Sequence, residues 1–121
     1  MAKKDETESF LPLTPAAFNI LLALADGEKH GYAILKEVAR RTEDKVRLSA
    51  GTLYGNLARL ESTGLIAESG ERPEIALDDE RRRYYKLTKF GREVAMAEAR
   101  RMEEVVAQAH AKKLFRKPET A

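Results

Sequence analysis

The sequence predicts a mainly α chain with one small β-hairpin: three short helices, the hairpin, then one long helix. Three observations predict it. Apolar residues recur at three- and four-residue steps in separate stretches, each opened by a helix-start residue. Two strand-like stretches, Leu65–Ser69 and Arg82–Leu87, are separated by a segment, 70–81, that holds Pro73 and acidic turn formers. The 121 residues are length for one domain with one appended element.

Residues 1–12 are polar and read as a mobile arm. Thr14-Pro15 then starts the first helix, Thr as N-cap and Pro at the first helical position. Phe18, Leu21, Leu22 and Ala25 follow helical spacing, and Asp26-Gly27 ends the stretch. Gly31 opens a second, short helix with Leu35, Val38 and Ala39 as its apolar stripe, running to about Thr42. Ser49 caps a third. Ala50, Leu53, Leu57 and Leu60 predict its buried face, whereas Thr52, Asn56 and Arg59 form a polar stripe at the same spacing. Gly64 suits a stop. The hairpin follows, and Thr88 caps a last helix running from Lys89 to about Phe115, with Pro118 beyond it. This divides the chain into the arm (1–12), a compact domain (13–88), a long helix (89–116) and a tail (117–121).

Helix-turn-helix followed by a hairpin is the winged-helix layout, in which the third helix enters the DNA major groove and the hairpin touches backbone or minor groove. The charge distribution fits that layout. A net charge of +2 looks unpromising for nucleic acid. Counted by segment, however, residues 29–60 carry 7 basic and 3 acidic groups, and residues 81–92 carry 6 basic and none acidic. The acidic excess lies in residues 1–28 and 61–80. Local patches, not totals, attract phosphates. Both basic blocks fall where a winged helix faces DNA.

The candidate contacts follow. Ser49, Thr52 and Tyr54 lie in the first turns of the third helix, where hydroxyls and a helix N-terminus suit phosphates. Asn56 could pair with an adenine edge and Arg59 with guanine or phosphate. Tyr32 and Lys36 sit on the second helix, Arg82 and Arg83 on the return strand, and Arg72 near the wing tip. Gly51 and Gly55 each cost about 1 kcal/mol against Ala inside a helix, so they imply close approach to a groove or a neighbouring helix.

The last helix has more apolar surface than a domain this small can cover. Ala95, Ala99, Met102, Val106 and Ala109 form a seam at alternating four- and three-residue steps, and Phe90, Val94, Val105, Leu114 and Phe115 widen it. Pairing across a two-fold axis with a second copy is the expected use, with Phe90, Ala95, Ala99, Met102, Val106 and Ala109 at the interface. Packing on the first helix of the same chain is the competing one. A dimer would set two reading helices about 34 Å apart, on an inverted-repeat operator in double-stranded DNA.

These residues resemble the PadR family of transcriptional regulators. The matching stretches are His30-Gly31-Tyr32, Ser49-Ala50-Gly51-Thr52-Leu53-Tyr54 with Leu57 and Arg59-Leu60-Glu61, Gly64-Leu65-Ile66, and Arg82 to Thr88 with Gly91. The resemblance implies a dimeric DNA-binding repressor, with a winged helix-turn-helix domain and a C-terminal dimerisation helix. Its length and single terminal helix are similar to the smaller members. It also implies a small apolar or aromatic effector between the long helices. Two features depart from the family pattern: Gly55 follows Tyr54 where many members carry Pro or Arg, and Asp78-Asp79-Glu80 precede the wing arginines where a Gly-containing turn is common.

Other classes are disfavoured. The chain has no cysteine, hence no disulfide, thiolate zinc site or thiol nucleophile. Its two histidines, His30 and His110, lie far apart in sequence and mark no nucleophile-base pair or metal site. We expect no enzyme, cofactor or metal. The apolar run Ile20–Ala25 is far short of the ~20 residues that span a bilayer. Lys3-Lys4 is followed by Asp5-Glu6-Thr7-Glu8 where a secretory signal needs an apolar core. A cytoplasmic, membrane-free location is expected. The rival reading is a winged-helix module for protein interaction without specific DNA binding.

Overall fold

The computed structural model describes residues 3–69 and 83–115. In chain order these form α1 (Lys3–Glu8), α2 (Pro15–Ala23), β1 (Lys29–His30), α3 (Gly31–Arg41), α4 (Ala50–Ser62), β2 (Ile66–Glu68), β3 (Tyr84–Leu87) and α5 (Lys89–Ala111). The fold is mostly helical, with a small antiparallel sheet ordered β1-β3-β2. Tyr85 pairs with Lys29 on one side and Glu68 on the other.

The helix starts follow the side-chain oxygens and one imidazole. Thr14 Oγ1 accepts from the Ala17 N–H, Ser49 Oγ from Thr52, and Thr88 Oγ1 from Gly91, each satisfying an orphan donor of the first turn. At α3 the cap is His30, whose Nδ1 accepts from the Ala33 N–H at 3.2 Å. Three helices stop alike, with a left-handed residue just past the cap. At α4 it is Gly64 (φ 86°), and the Gly64 and Leu65 N–H groups donate back to the Glu61 and Leu60 carbonyls. Glu43 after α3 and Lys113 after α5 take the same role with side chains attached.

One core joins these elements. Ile20 and Leu21 of α2, Ile34 and Val38 of α3, Leu53 and Leu57 of α4, Leu65, Ile66 and Val94 are essentially inaccessible to solvent. The turn between α3 and α4 is pinned by Thr42, which donates to the Val38 carbonyl and accepts from the Val46 N–H.

α5 is clasped to the start of β2. The Thr88 hydroxyl donates to the Gly64 carbonyl at 2.6 Å, and the Thr88 N–H donates to Leu65 O at 3.1 Å. One turn on, Gly91 lies so close that a Cβ there would overlap the Leu65 carbonyl oxygen. Glycine is required here by contact, not by dihedral freedom.

The structure corrects the sequence reading in three places. In place of the mobile polar arm over 1–12, residues 3–8 are helical and pack on α5. Thr7 is buried, and the Phe10 ring meets Phe90 edge-on at 5.7 Å. An apolar anchor just downstream holds the polar turn in place. The last helix ends at Ala111, short of Phe115, because Lys113 turns left-handed. β1 was not expected at all. No described helix is long and apolar enough to cross a membrane.

Candidate nucleic-acid interface

α4 turns Leu53, Asn56, Leu57 and Leu60 into the core. The opposite, solvent-facing side carries Gly51, Gly55, Ala58 and Ser62, all exposed. Among the described residues, nothing beyond the helix's own backbone and the adjacent residues lies within 4 Å of where a Cβ on Gly51 or Gly55 would be. The two glycines therefore do not serve internal helix packing. The crest of α4 is a low ridge of small residues with larger polar groups on its flanks.

On one flank Ser49 and Thr52 are exposed at the helix start, their hydroxyls hydrogen-bonded at 3.0 Å. Arg59 is exposed about two turns beyond Thr52. On the other flank Tyr54 is 52% exposed, and its hydroxyl lies 2.7 Å from where a Cβ on Gly31 would sit. Tyr54 is thus folded over the α3 start and keeps an open face. Beside it Tyr32 is exposed with the Lys36 ammonium 5.4 Å above its ring, a cation–π contact. Tyr32 and Tyr54 both stand at the α3 start, with Lys36 over the Tyr32 ring, and Ser49 and Thr52 stand at the α4 start. Arg59 lies towards the other end of α4.

Asn56 is a correction. Expected on the exposed stripe, it is 8% exposed, and its amide donates to Thr52 O at 2.8 Å. The buried arc of α4 is wider than its leucines alone, so Asn56 lies within it and cannot reach a base edge in this conformation. Arg83 is exposed before β3, with Glu68 at 3.8 Å. Arg72 and Arg82, and the acidic Asp78-Asp79-Glu80 group, lie outside the described residues. The sequence reading missed Lys45 and Arg47, both exposed on the α3–α4 turn. The signal was in the charge count of residues 29–60, which named the block but not these members.

The basic residues of β1 and α3 divide by environment. Arg41 is tied to Asn19 through two hydrogen bonds and to Glu37, and Lys29 is held by the Ala23 carbonyl, Asp26 and Glu37. Those charges support the fold. Lys36 and Arg40 point to solvent.

On α5 the expected seam splits. Phe90 packs against Phe10 and the core within its own chain, and Ala95 also lies against that core. Phe90 is therefore a core residue here, not a free interface residue. Ala99, Met102, Val105 and Val106 are exposed, and Ala109 is half-buried. Between the two regions stands Glu98, fully buried, accepting from Arg101 Nε at 2.6 Å and from the Leu13 N–H at 3.1 Å. The Arg101 hydrogen bond, aided by the backbone donor, holds the Glu98 carboxyl below the usual carboxylate range despite burial. Among the described residues no group of three His, Cys, Asp or Glu side chains is arranged to hold a metal ion.

Residues 20–97 match the transcriptional regulator PadR-like family. A transcriptional regulator of Mycobacterium tuberculosis, Rv3488, is 36% identical over 87 residues, covering 72% of this chain and 75% of that protein. An uncharacterized 37.1 kDa protein in transposon TN4556 of Streptomyces fradiae is 41% identical over 83 residues, which cover 69% of this chain but only 21% of that protein. Among solved structures, a PadR family transcription regulator from Clostridium difficile R20291 superposes with a TM-score of 0.68 at 26% identity, covering 81% of this chain and 97% of that one. A transcriptional regulator from Clostridium thermocellum gives 0.61 at 26% identity, covering 93% and 99%.

Proposed function

Since the chain belongs to the PadR-like family of transcriptional regulators, we propose that it is a homodimeric repressor that reads an inverted-repeat operator in double-stranded DNA. The observation that carries this reading is the solvent-facing ridge of α4. Small residues at Gly51, Gly55, Ala58 and Ser62 let a helix sink into a major groove without steric conflict. Ser49, Thr52 and Tyr54 flank that ridge, and Tyr32 and Lys36 stand beside it. Hydroxyls and lysine at helix starts position a protein on phosphates, and Arg59 is the long cation that reaches past the ridge. Arg83 joins the set, and Arg72 and Arg82, outside the described residues, are proposed with it. Asn56 is withdrawn from it.

The dimer uses the uncovered end of α5, where Met102, Val105 and Val106 are exposed on one face. Two copies paired there carry their α4 helices to successive major grooves. A small apolar or aromatic effector lodged between the paired α5 helices would change that spacing and release the operator.

The test is a titration of a genomic fragment library at low and moderate salt, with the bound fragments sequenced. The expected result is enrichment of an inverted repeat, with affinity falling steeply as salt rises. Arg59→Ala should weaken operator binding by roughly 1–3 kcal/mol. Failure to enrich any sequence overturns the reading, and a light-scattering mass equal to one chain overturns the dimer.

A further inference from the structure

Gly31, the first residue of α3, is buried, yet it does not have a positive φ, unlike Gly27 and Gly64. Its missing side chain answers to contact instead. A Cβ there would stand 2.7 Å from the Tyr54 hydroxyl oxygen and 3.1 Å from the ring carbons Cε1 and Cζ. The hydroxyl end of Tyr54 thus fills the notch that the glycine leaves. Tyr54 reaches it from the second turn of α4, though it is 52% exposed. Elsewhere the two helices share the apolar core through Ile34, Val38, Leu53 and Leu57. Apolar contact is non-directional, so it holds helices together without fixing how far one has slid along the other. A ring end seated in a notch does fix it, as a ridge set in a groove does. The α3 start is braced as well by the His30 cap on Ala33. It carries Tyr32, and the Lys36 ammonium lies 5.4 Å from that ring's centroid.

We propose that Tyr54 is a positioning residue for DNA binding: seated on Gly31, it holds the α3 start in register with α4, so that Lys36 meets a backbone phosphate while α4 reads the groove. This gives Tyr54 a part beyond flanking the ridge, and it rests on the DNA reading proposed for α4. Phosphate contacts set a protein's register on the duplex, and they do so only when made together with the base contacts. Lys36 is long, but its ammonium lies over the Tyr32 ring, and Tyr32 is the neighbour of Gly31, so the charge moves with the notch. A slide of α3 by one residue's rise is about 1.5 Å. That is enough to carry an ammonium from hydrogen-bond distance out of range.

The experiment follows operator affinity against salt for variants of the full chain, on the fragment that the wild type enriches. Gly31→Ala drives the hydroxyl end of Tyr54 out of the notch; that end belongs to a flexible side chain, so the chain stays folded. Operator affinity should fall about tenfold, and the salt slope by about one phosphate per copy. Tyr54→Ala, at an exposed position, empties the notch and should do the same, so it decides the question if Gly31→Ala does not fold. Gly31→Ala added to Tyr54→Ala, or to Lys36→Ala, should lower the slope no further. Tyr54→Phe, which returns a ring to the notch, should recover most of the slope lost in Tyr54→Ala. A slope unchanged in Gly31→Ala and Tyr54→Ala, or a further fall on the Lys36→Ala background, overturns the proposal. So does a loss in Tyr54→Phe equal to that in Tyr54→Ala, which makes the hydroxyl itself a DNA contact. A wild type that binds no DNA overturns the DNA reading instead, and the notch is then read from residual dipolar couplings of the free chain. There α3 should turn against α4 in Tyr54→Ala and not in Tyr54→Phe; identical couplings in wild type and both variants overturn the notch as well.

Discussion

Up to Arg101, α5 runs against α1, α2 and the sheet; past it, a neighbouring stretch of the same helix meets solvent. Val94 and Glu98 in the first half are fully buried, whereas Val105 and Val106 in the second are 48% and 44% exposed. Valine and its neighbours are apolar in both halves. What differs is whether the described residues of the same chain supply a cover. Apolar spacing announces that a face will be buried, not by what, and here one unbroken helix carries both answers.

The contrast can be broken most severely at Gly91. Gly91→Ala forces a methyl onto the Leu65 carbonyl oxygen, which is backbone and cannot step aside. A loss of at least about 3 kcal/mol is expected, read as a lower denaturant midpoint with an unchanged slope. Next is Glu98→Ala, which leaves the Leu13 N–H without its acceptor and Arg101 without its carboxylate, for a loss of about 2–3 kcal/mol. The same carboxylate sets a pH dependence. Its folded pKa is depressed, so its stabilisation is in place above the ordinary glutamate pKa of 4.5 and drains away as pH falls through the folded value. Acid unfolding of the wild type should be steeper below pH 4.5 than that of Glu98→Gln. Thr88→Ala removes a helix cap and the hydroxyl bonds to Gly64 and Leu65, costing about 1–2 kcal/mol.

The smallest effect on the stability of one chain is expected on the uncovered half. Val106→Asp should change the unfolding free energy of a dilute, monomeric chain by no more than about 0.5 kcal/mol. It should nevertheless halve the mass seen by light scattering if that half pairs with a second copy. A mutant that keeps its mass would place the pairing face elsewhere; one that unfolds would show that the face is covered from within.

Much of this fold was legible because its punctuation is chemical. Thr14, Ser49 and Thr88 each cap the helix they were expected to cap, since a hydroxyl before an apolar period has little else to do. The strands came out shorter than expected, Ile66–Glu68 and Tyr84–Leu87. β1 was invisible because Lys29-His30 is too short to show any alternation. α1 was missed for a related reason: Lys3–Glu8 has no apolar period, and what holds it is the neighbouring Phe10 on Phe90. At the candidate interface the sequence named Tyr32, Lys36, Ser49, Thr52 and Tyr54, all of which are exposed. It misplaced Asn56, because a four- and three-residue spacing groups Thr52, Asn56 and Arg59 without saying how wide the buried arc beside them is. Phe90 was misread likewise: period alone cannot tell an intramolecular neighbour from a copy.

The clasp between Thr88, Gly91 and the β2 start is short, while the 23-residue arm that leaves it is about 34 Å long. Such proportions make a lever. A turn of about 5° at the joint swings the free tip by about 3 Å, roughly the rise of one base pair. Worked the other way, a push at the tip arrives at the sheet as a small angle with multiplied torque. A methyl-sized error at the joint is therefore magnified along the whole arm, and among the described glycines it is Gly91, at this fulcrum, that leaves least room for a methyl.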